Sequence, residues 1–85
     1  MATAPAFDLA SEELERWTFF NRLESRGTLR LAVREAGLDP HSVTASQMAG
    51  VVENFLPREL RSRGVERGEA ICSPIRRVLV RSPAG

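Results

Sequence analysis

The amino-acid sequence predicts an all-α protein, a small single domain of four to five short helices. The 85 residues suffice for one modest core, and 42% of them are hydrophobic. Apolar residues recur at the helical interval, most regularly at Met48, Val51, Val52, Phe55 and Leu56. Capping and stop signals separate the periodic segments, which indicates several helices joined by short turns.

The clearest predicted helix lies within residues 43–56. Thr44 and Gln47 have the spacing of a capping box, in which each side chain bonds the backbone N–H of the other residue. Val43 and Met48 flank this start as a hydrophobic staple. Pro57 then disfavours helical geometry at the residue before it, so this helix is expected to end or kink there.

The expected domain limits follow from the two ends of the chain. Residues 1–7 are predicted to be a flexible arm, residues 8–81 the helical domain, and residues 82–85 a tail. Helix one is expected to begin at Asp8 or Ser11, either of which can cap it.

Helix one carries most of the aromatic residues. Leu14, Trp17, Phe20 and Leu23 recur every three positions, and Phe19 stands four residues before Leu23. We expect this helix to bury both flanks in the core. The alternative is an exposed aromatic patch that binds a partner.

Glycines mark the predicted ends of the next helices. Gly27 is expected to end helix one and Thr28 to cap helix two. The apolar positions of helix two are Leu29, Ala32, Val33 and Ala36. Gly37 is predicted to end it in a Schellman motif, with Leu38 packing against Val33.

The same stop is predicted again further along the chain. A short helix over residues 57–63 is expected to end at Gly64, with Val65 packing against Leu60. Ser73 and Pro74 then predict the cap and first residue of the last helix. The whole predicted core is Leu14, Trp17, Phe20, Leu23, Val33, Met48, Val51, Val52, Phe55 and Leu60.

Charge is unevenly distributed although the net charge is only +1. Residues 1–57 hold five arginines and eight acids, a charge of −3, whereas residues 58–85 hold seven arginines and three acids, a charge of +4. The tentative partner-binding residues are therefore Arg58, Arg61, Arg63, Arg67, Arg76, Arg77 and Arg81. They are expected to contact phosphate, to dock on an acidic protein surface or a second copy, or to remain solvated.

The sequence contains no arrangement of residues that predicts an active site. Asp39, His41 and Ser42 lie too close together in one predicted turn to form a triad. Arg76 could lower the pKa of the single cysteine, Cys72, although a structural role is the simpler interpretation. One cysteine and one histidine cannot assemble a zinc site, and no cofactor motif is present. We expect no enzyme, no metal and no cofactor.

Nucleic-acid binding is the alternative function. The segments 28–36 and 45–56 resemble a helix-turn-helix, with polar residues Thr44, Ser46 and Gln47 at the start of the second helix. The connection is longer than the usual turn of about 3–4 residues, and no arginine lies on the second helix. The arginine-rich surface of residues 58–81 offers a second route, through phosphate contacts.

These observations together predict a non-enzymatic protein-interaction module of adaptor or regulatory type. Its working surface is expected to be the basic C-terminal third, flanked by an apolar groove. The expected partner is an unidentified protein or a second copy of the chain, with nucleic acid as the alternative. No segment reaches the ~18–20 apolar residues of a membrane span, so we expect a cytoplasmic protein without membrane contact.

Overall fold

Five helices account for most of residues 2–81, which are the part of the chain that the computed structural model describes. They are α1 (Pro5–Trp17), α2 (Arg22–Glu35), α3 (Ala45–Asn54), α4 (Leu56–Ser62) and α5 (Gly68–Arg81). No β-strand occurs within this range, so the predicted all-α class is confirmed. The predicted tail, residues 82–85, lies outside the described residues.

The helices pack around one core. α3 lies against α5 and α1 against α2, while α4 contacts α2, α3 and α5. The radius of gyration is 11.1 Å, close to the roughly 12 Å expected for a compact chain of this length. Six predicted core residues are buried and two more, Phe20 and Phe55, pack partly buried against them. The six are Leu14, Val33, Met48, Val51, Val52 and Leu60.

The predicted cap of α3 is confirmed. The backbone N–H of Gln47 donates to the Thr44 hydroxyl at 3.1 Å, and the N–H of Thr44 donates to Gln47 Oε1 at 3.0 Å. Val43 is buried beside Met48, as the staple requires. These four residues set the angle at which the chain enters α3.

Both predicted Schellman motifs are also confirmed. Gly37 has φ of +77°, and the N–H of Leu38 donates to the carbonyl oxygen of Val33 at 3.0 Å. Gly64 has φ of +84°, and the N–H of Val65 donates to the carbonyl oxygen of Leu60 at 2.8 Å. Glycine is favoured at both corners because a Cβ is strained in this left-handed conformation.

The first helix begins earlier than the sequence predicts. Residues 5–7, expected to belong to the flexible arm, form its first turn, because Pro5 suits that position and Phe7 is completely buried. Asp8 and Ser11 therefore lie inside α1 and do not cap it. Arg26 lies over the Phe7 ring, with its Cζ 5.2 Å from the ring centroid, which holds the start of α1 against α2.

The boundary between the first two helices differs as well. Gly27 does not end a helix but lies inside α2, and Thr28 is a buried interior residue rather than a cap. The true start is a capping box between Asn21 and Glu24, with hydrogen bonds of 2.8 and 3.1 Å. Leu29, one turn beyond Ser25, continues the buried face that crosses the glycine. The Asn21–Glu24 spacing is itself a capping-box signal in the sequence.

The last helix also begins early. α5 starts at Gly68, which is buried against α4, and a Cβ at this position would lie in ordinary van der Waals contact, 3.4 Å from the Pro57 carbonyl oxygen. Pro74 therefore lies inside the helix and Ser73 is not its cap. A proline inside a helix costs about 3 kcal/mol. Burial of Ile75 and Leu79, at about 1.5–3 kcal/mol each, offsets that cost.

Candidate functional site

The turn between α1 and α2 is held by side-chain hydrogen bonds. Thr18 leaves the helix in an extended conformation, with φ of −133° and ψ of 176°. Its hydroxyl donates to the carbonyl oxygen of Leu14 at 2.6 Å and accepts the N–H of Phe20 at 3.2 Å. Asn21 follows directly as the cap of α2. The turn is therefore an ordered structure between two fixed helix ends.

This turn places two neighbouring phenylalanines in opposite environments. Phe20 packs partly buried against the core, whereas the Phe19 side chain is fully exposed. Trp17 is 48% exposed and Leu23 is 79% exposed. The prediction that Trp17 and Leu23 belong to the core is wrong, because α1 ends at Trp17 and the helical periodicity that connected them is broken by the turn.

A groove runs beside these aromatic residues. Its volume is about 740 Å³, within the range of about 300–1,000 Å³ that is typical of ligand clefts. One wall is the end of α1 and the turn, and the other is the segment that leads from α4 into α5. The lining residues are Arg16, Trp17, Thr18, Phe19, Gly64, Val65, Glu66, Arg67, Ala70 and Ile71. We call this cavity the aromatic groove.

The second wall depends on the Gly64 corner. Its left-handed backbone turns the chain sharply after α4, and Val65 and Ile71 pack partly buried against the core. Their remaining surface lies in the aromatic groove, opposite Trp17 and Phe19. Apolar residues therefore line both walls of the groove, and those of one wall are 46 or more positions from those of the other in the sequence.

Charged side chains border the groove. Arg16 on the first wall and Arg67 on the second are both exposed and line it, and Glu66 lies next to Arg67 on the second wall. Arg16 lies 3.8 Å from the largely buried carboxylate of Glu13, a long separation for an ion pair. Arg63 directly precedes the Gly64 corner and is exposed. The charged residues that line the groove are therefore two arginines, one on each wall, and one glutamate.

The seven arginines predicted to bind a partner are all exposed, but they belong to different parts of the surface. Arg58 and Arg61 lie on α4, and Arg61 shares a small cavity of about 280 Å³ with Arg67. Arg67 also borders the aromatic groove, so it connects the two cavities. Arg63 follows α4 directly at its C-terminal end.

The other three arginines lie on α5. Arg76 faces α3, where its Nε is 3.3 Å from the Glu53 carboxylate. Arg77 and Arg81 are one helical turn apart and exposed, on the face away from the buried residue Leu79. The C-terminal third therefore does not present a single continuous cluster on this helix.

The segments that resemble a helix-turn-helix have a different geometry from that motif. Residues 36–44 separate α2 from α3, a connection much longer than the usual turn of about 3–4 residues. The side chains of Thr44 and Gln47 are engaged in the capping box of α3. Ser46 remains exposed at the start of that helix.

The residues considered for catalysis have structural contacts. Asp39 accepts the backbone N–H of His41 at 2.8 Å, and its carbonyl oxygen accepts the N–H of Ser42 at 3.1 Å. The Nδ1 atom of His41 lies 3.0 Å from the carbonyl oxygen of Ala2. These contacts form a turn that also fixes the beginning of the chain.

Cys72 is buried on the core-facing side of α5. Burial, with a smaller contribution from the nearby carboxylate of Glu69, raises the pKa of its thiol to about 12. The suggestion that Arg76 activates this cysteine is therefore wrong, since loss of solvent dominates. A neutral, buried thiol is a poor nucleophile.

Comparison of the chain with protein-family models, curated proteins and solved structures finds no match. Among residues 2–81, no group of three His, Cys, Asp or Glu side chains is arranged to hold a metal ion. None of the helices in that part of the chain has both the length and the hydropathy needed to cross a membrane.

Proposed function

We propose that the protein is a non-enzymatic adaptor or regulatory module that binds a protein partner in the aromatic groove. The observation that carries the proposal is the pair Trp17 and Phe19, exposed on an ordered turn beside a cavity of about 740 Å³. Large apolar side chains in such a position are a common feature of interaction sites. The groove adjoins the basic C-terminal third, the surface expected from the sequence.

The residue types of the groove support this proposal. Tryptophan and arginine are enriched among the residues that contribute most to binding energy in protein interfaces. Trp17 and Arg16 line the groove together with the apolar residues Val65 and Ile71. A partner that covers these side chains removes apolar surface from water, at about 25 cal/mol for each Å² buried.

The proposal is tested by affinity capture from a lysate of the source cells, with and without nuclease. We expect one protein to be retained after nuclease treatment by the wild type and lost with Phe19→Ser. Val80→Ser is the matched control, because Val80 is also an exposed apolar residue but lies outside the groove. Equal capture by both variants would falsify the assignment of the groove.

The same experiment examines the nucleic-acid alternative. That function predicts material that disappears with nuclease and binding that weakens steeply with salt. It also predicts losses spread over several of the late arginines, such as Arg77 and Arg81, with little effect of Phe19→Ser. The cytoplasmic location remains part of the proposal and is tested by cell fractionation.

A further inference from the structure

We infer that the occupant of the aromatic groove is an acidic amphipathic helix of another protein. This inference rests on the proposed function and specifies the chemistry of the partner. It follows from the position of the groove between helix ends, from the apolar residues on both walls and from the arginine on each wall.

The architecture favours a helical partner. An extended peptide that adds to a sheet needs an exposed strand edge, and residues 2–81 contain no strand. An apolar groove between helix ends is suited to a helix that inserts side chains from successive turns. Trp17 and Phe19 on one wall and Val65 and Ile71 on the other form the surface that such side chains contact.

The border selects an acidic partner. Arg16 and Arg67 line the groove, one on each wall, against the single carboxylate of Glu66. Arginine binds carboxylates through two parallel hydrogen bonds. Glutamate or aspartate beside the apolar face of the partner helix can therefore pair with one arginine on each wall.

The same charges disfavour a second copy as the occupant. In a two-fold symmetric dimer the same surface patch is used by both subunits. The arginines at the border of one groove would then approach those of the other, and juxtaposed like charges oppose association. An acidic partner avoids this repulsion.

The test uses two synthetic helical peptides of about five turns each. Both carry the same leucine and isoleucine face and contain no tryptophan, but one has glutamates and the other lysines beside that face. Trp17 is the only tryptophan in the chain, so its fluorescence reports occupancy of the groove directly. At low salt we expect the glutamate peptide to bind about tenfold or more tightly than the lysine peptide. Added salt should reduce this difference.

Variants assign the effect to individual residues. The double variant Arg16→Gln, Arg67→Gln should remove most of the preference for the glutamate peptide. Arg77→Gln is the matched control, because Arg77 is exposed on α5 and does not line the groove. Phe19→Ala should weaken binding of both peptides. An unchanged preference in the double variant contradicts the inference.

Each other outcome also decides the question. Equal, Phe19-dependent binding of the two peptides overturns the acidic specificity but leaves the proposed function standing. If neither peptide changes the fluorescence of Trp17, the inference is overturned, and the capture experiment still decides the proposed function separately. A Phe19-dependent dimer in sedimentation velocity identifies a second copy as the occupant and overturns the inference.

Discussion

The backbone N–H of Phe20 donates to the hydroxyl of Thr18 across 3.2 Å. This bond lies in the turn in which Phe20 packs partly buried against the core and Phe19 is exposed. The same hydroxyl donates to the carbonyl oxygen of Leu14, in the last turn of α1. The Thr18 hydroxyl therefore bonds both the end of α1 and the turn that carries the exposed Phe19.

We therefore expect Thr18→Val, which keeps the shape but removes the hydroxyl, to lower the free energy of unfolding by about 1 kcal/mol. Thr18→Ser keeps the hydroxyl and should stay close to the wild type. Urea denaturation followed by circular dichroism measures both. Equal stabilities of the two variants would mean that the turn is held by packing alone.

Two glycines should respond in opposite directions to substitution by alanine. Gly27 lies in the interior of α2 with open space around the position of a Cβ, so Gly27→Ala should stabilise the protein by about 0.5–1 kcal/mol. Gly37 has φ of +77°, so Gly37→Ala should destabilise it by about 1–2 kcal/mol. Thermal and urea denaturation compare the pair. Destabilisation by Gly27→Ala would indicate a helix end at that position, as the sequence alone suggested.

The carboxyl group of Asp8 makes the free energy of unfolding depend on pH. Burial raises the pKa of its carboxyl group, but hydrogen bonds from Thr3 and Arg26 and the charge of Arg26 outweigh burial, so this pKa lies below its ordinary value. A group with a lowered pKa stabilises the fold above its unfolded-state pKa of about 3.9, and this contribution is lost as the pH falls through the folded-state value.

Asp8→Asn should therefore destabilise the protein at pH 7 by a few tenths of a kcal/mol, since this ion pair is partly exposed. The difference from the wild type should shrink in acid below the ordinary aspartate pKa. Urea denaturation at pH 7 and at a pH below the ordinary aspartate pKa measures this difference. The control is Glu12→Gln, because Glu12 is an exposed carboxylate of the same helix. A difference that persists unchanged in acid would exclude the carboxylate as its source.

The carboxyl group of Glu59 changes stability with pH in the opposite direction to that of Asp8. Burial raises the pKa of its carboxyl group, and the neighbouring carboxylate of Glu35 raises it further, while Arg58 and Arg63 only partly compensate. The folded state therefore takes up a proton more readily than the unfolded state. The associated destabilisation is present at neutral pH and is relieved as the pH falls through the folded-state pKa.

Glu59→Gln should accordingly stabilise the protein at pH 7 by a few tenths of a kcal/mol, the size typical of like-charge pairs. The advantage should disappear in acid, where the wild-type carboxyl is protonated. Glu35→Gln removes the other partner and should give a similar gain. Loss of stability in both variants at pH 7 would show that the pair is not repulsive.

Much of the local structure can be predicted from the sequence, because the groups involved are close in the chain. The Thr44–Gln47 cap and the corners at Gly37 and Gly64 join atoms within about six residues, and all three are confirmed. Fold class and helix number follow from these signals and from the apolar periodicity.

Tertiary structure decided the remaining features, because burial depends on which elements lie opposite. Pro74 is accommodated inside α5 because its neighbours Ile75 and Leu79 enter the core. The candidate site is a tertiary feature for the same reason. Trp17 belongs to the periodic pattern of a core helix, and the sequence offered the exposed patch only as an alternative. The aromatic groove has a second wall, with Val65 and Ile71, because α5 packs beside α1.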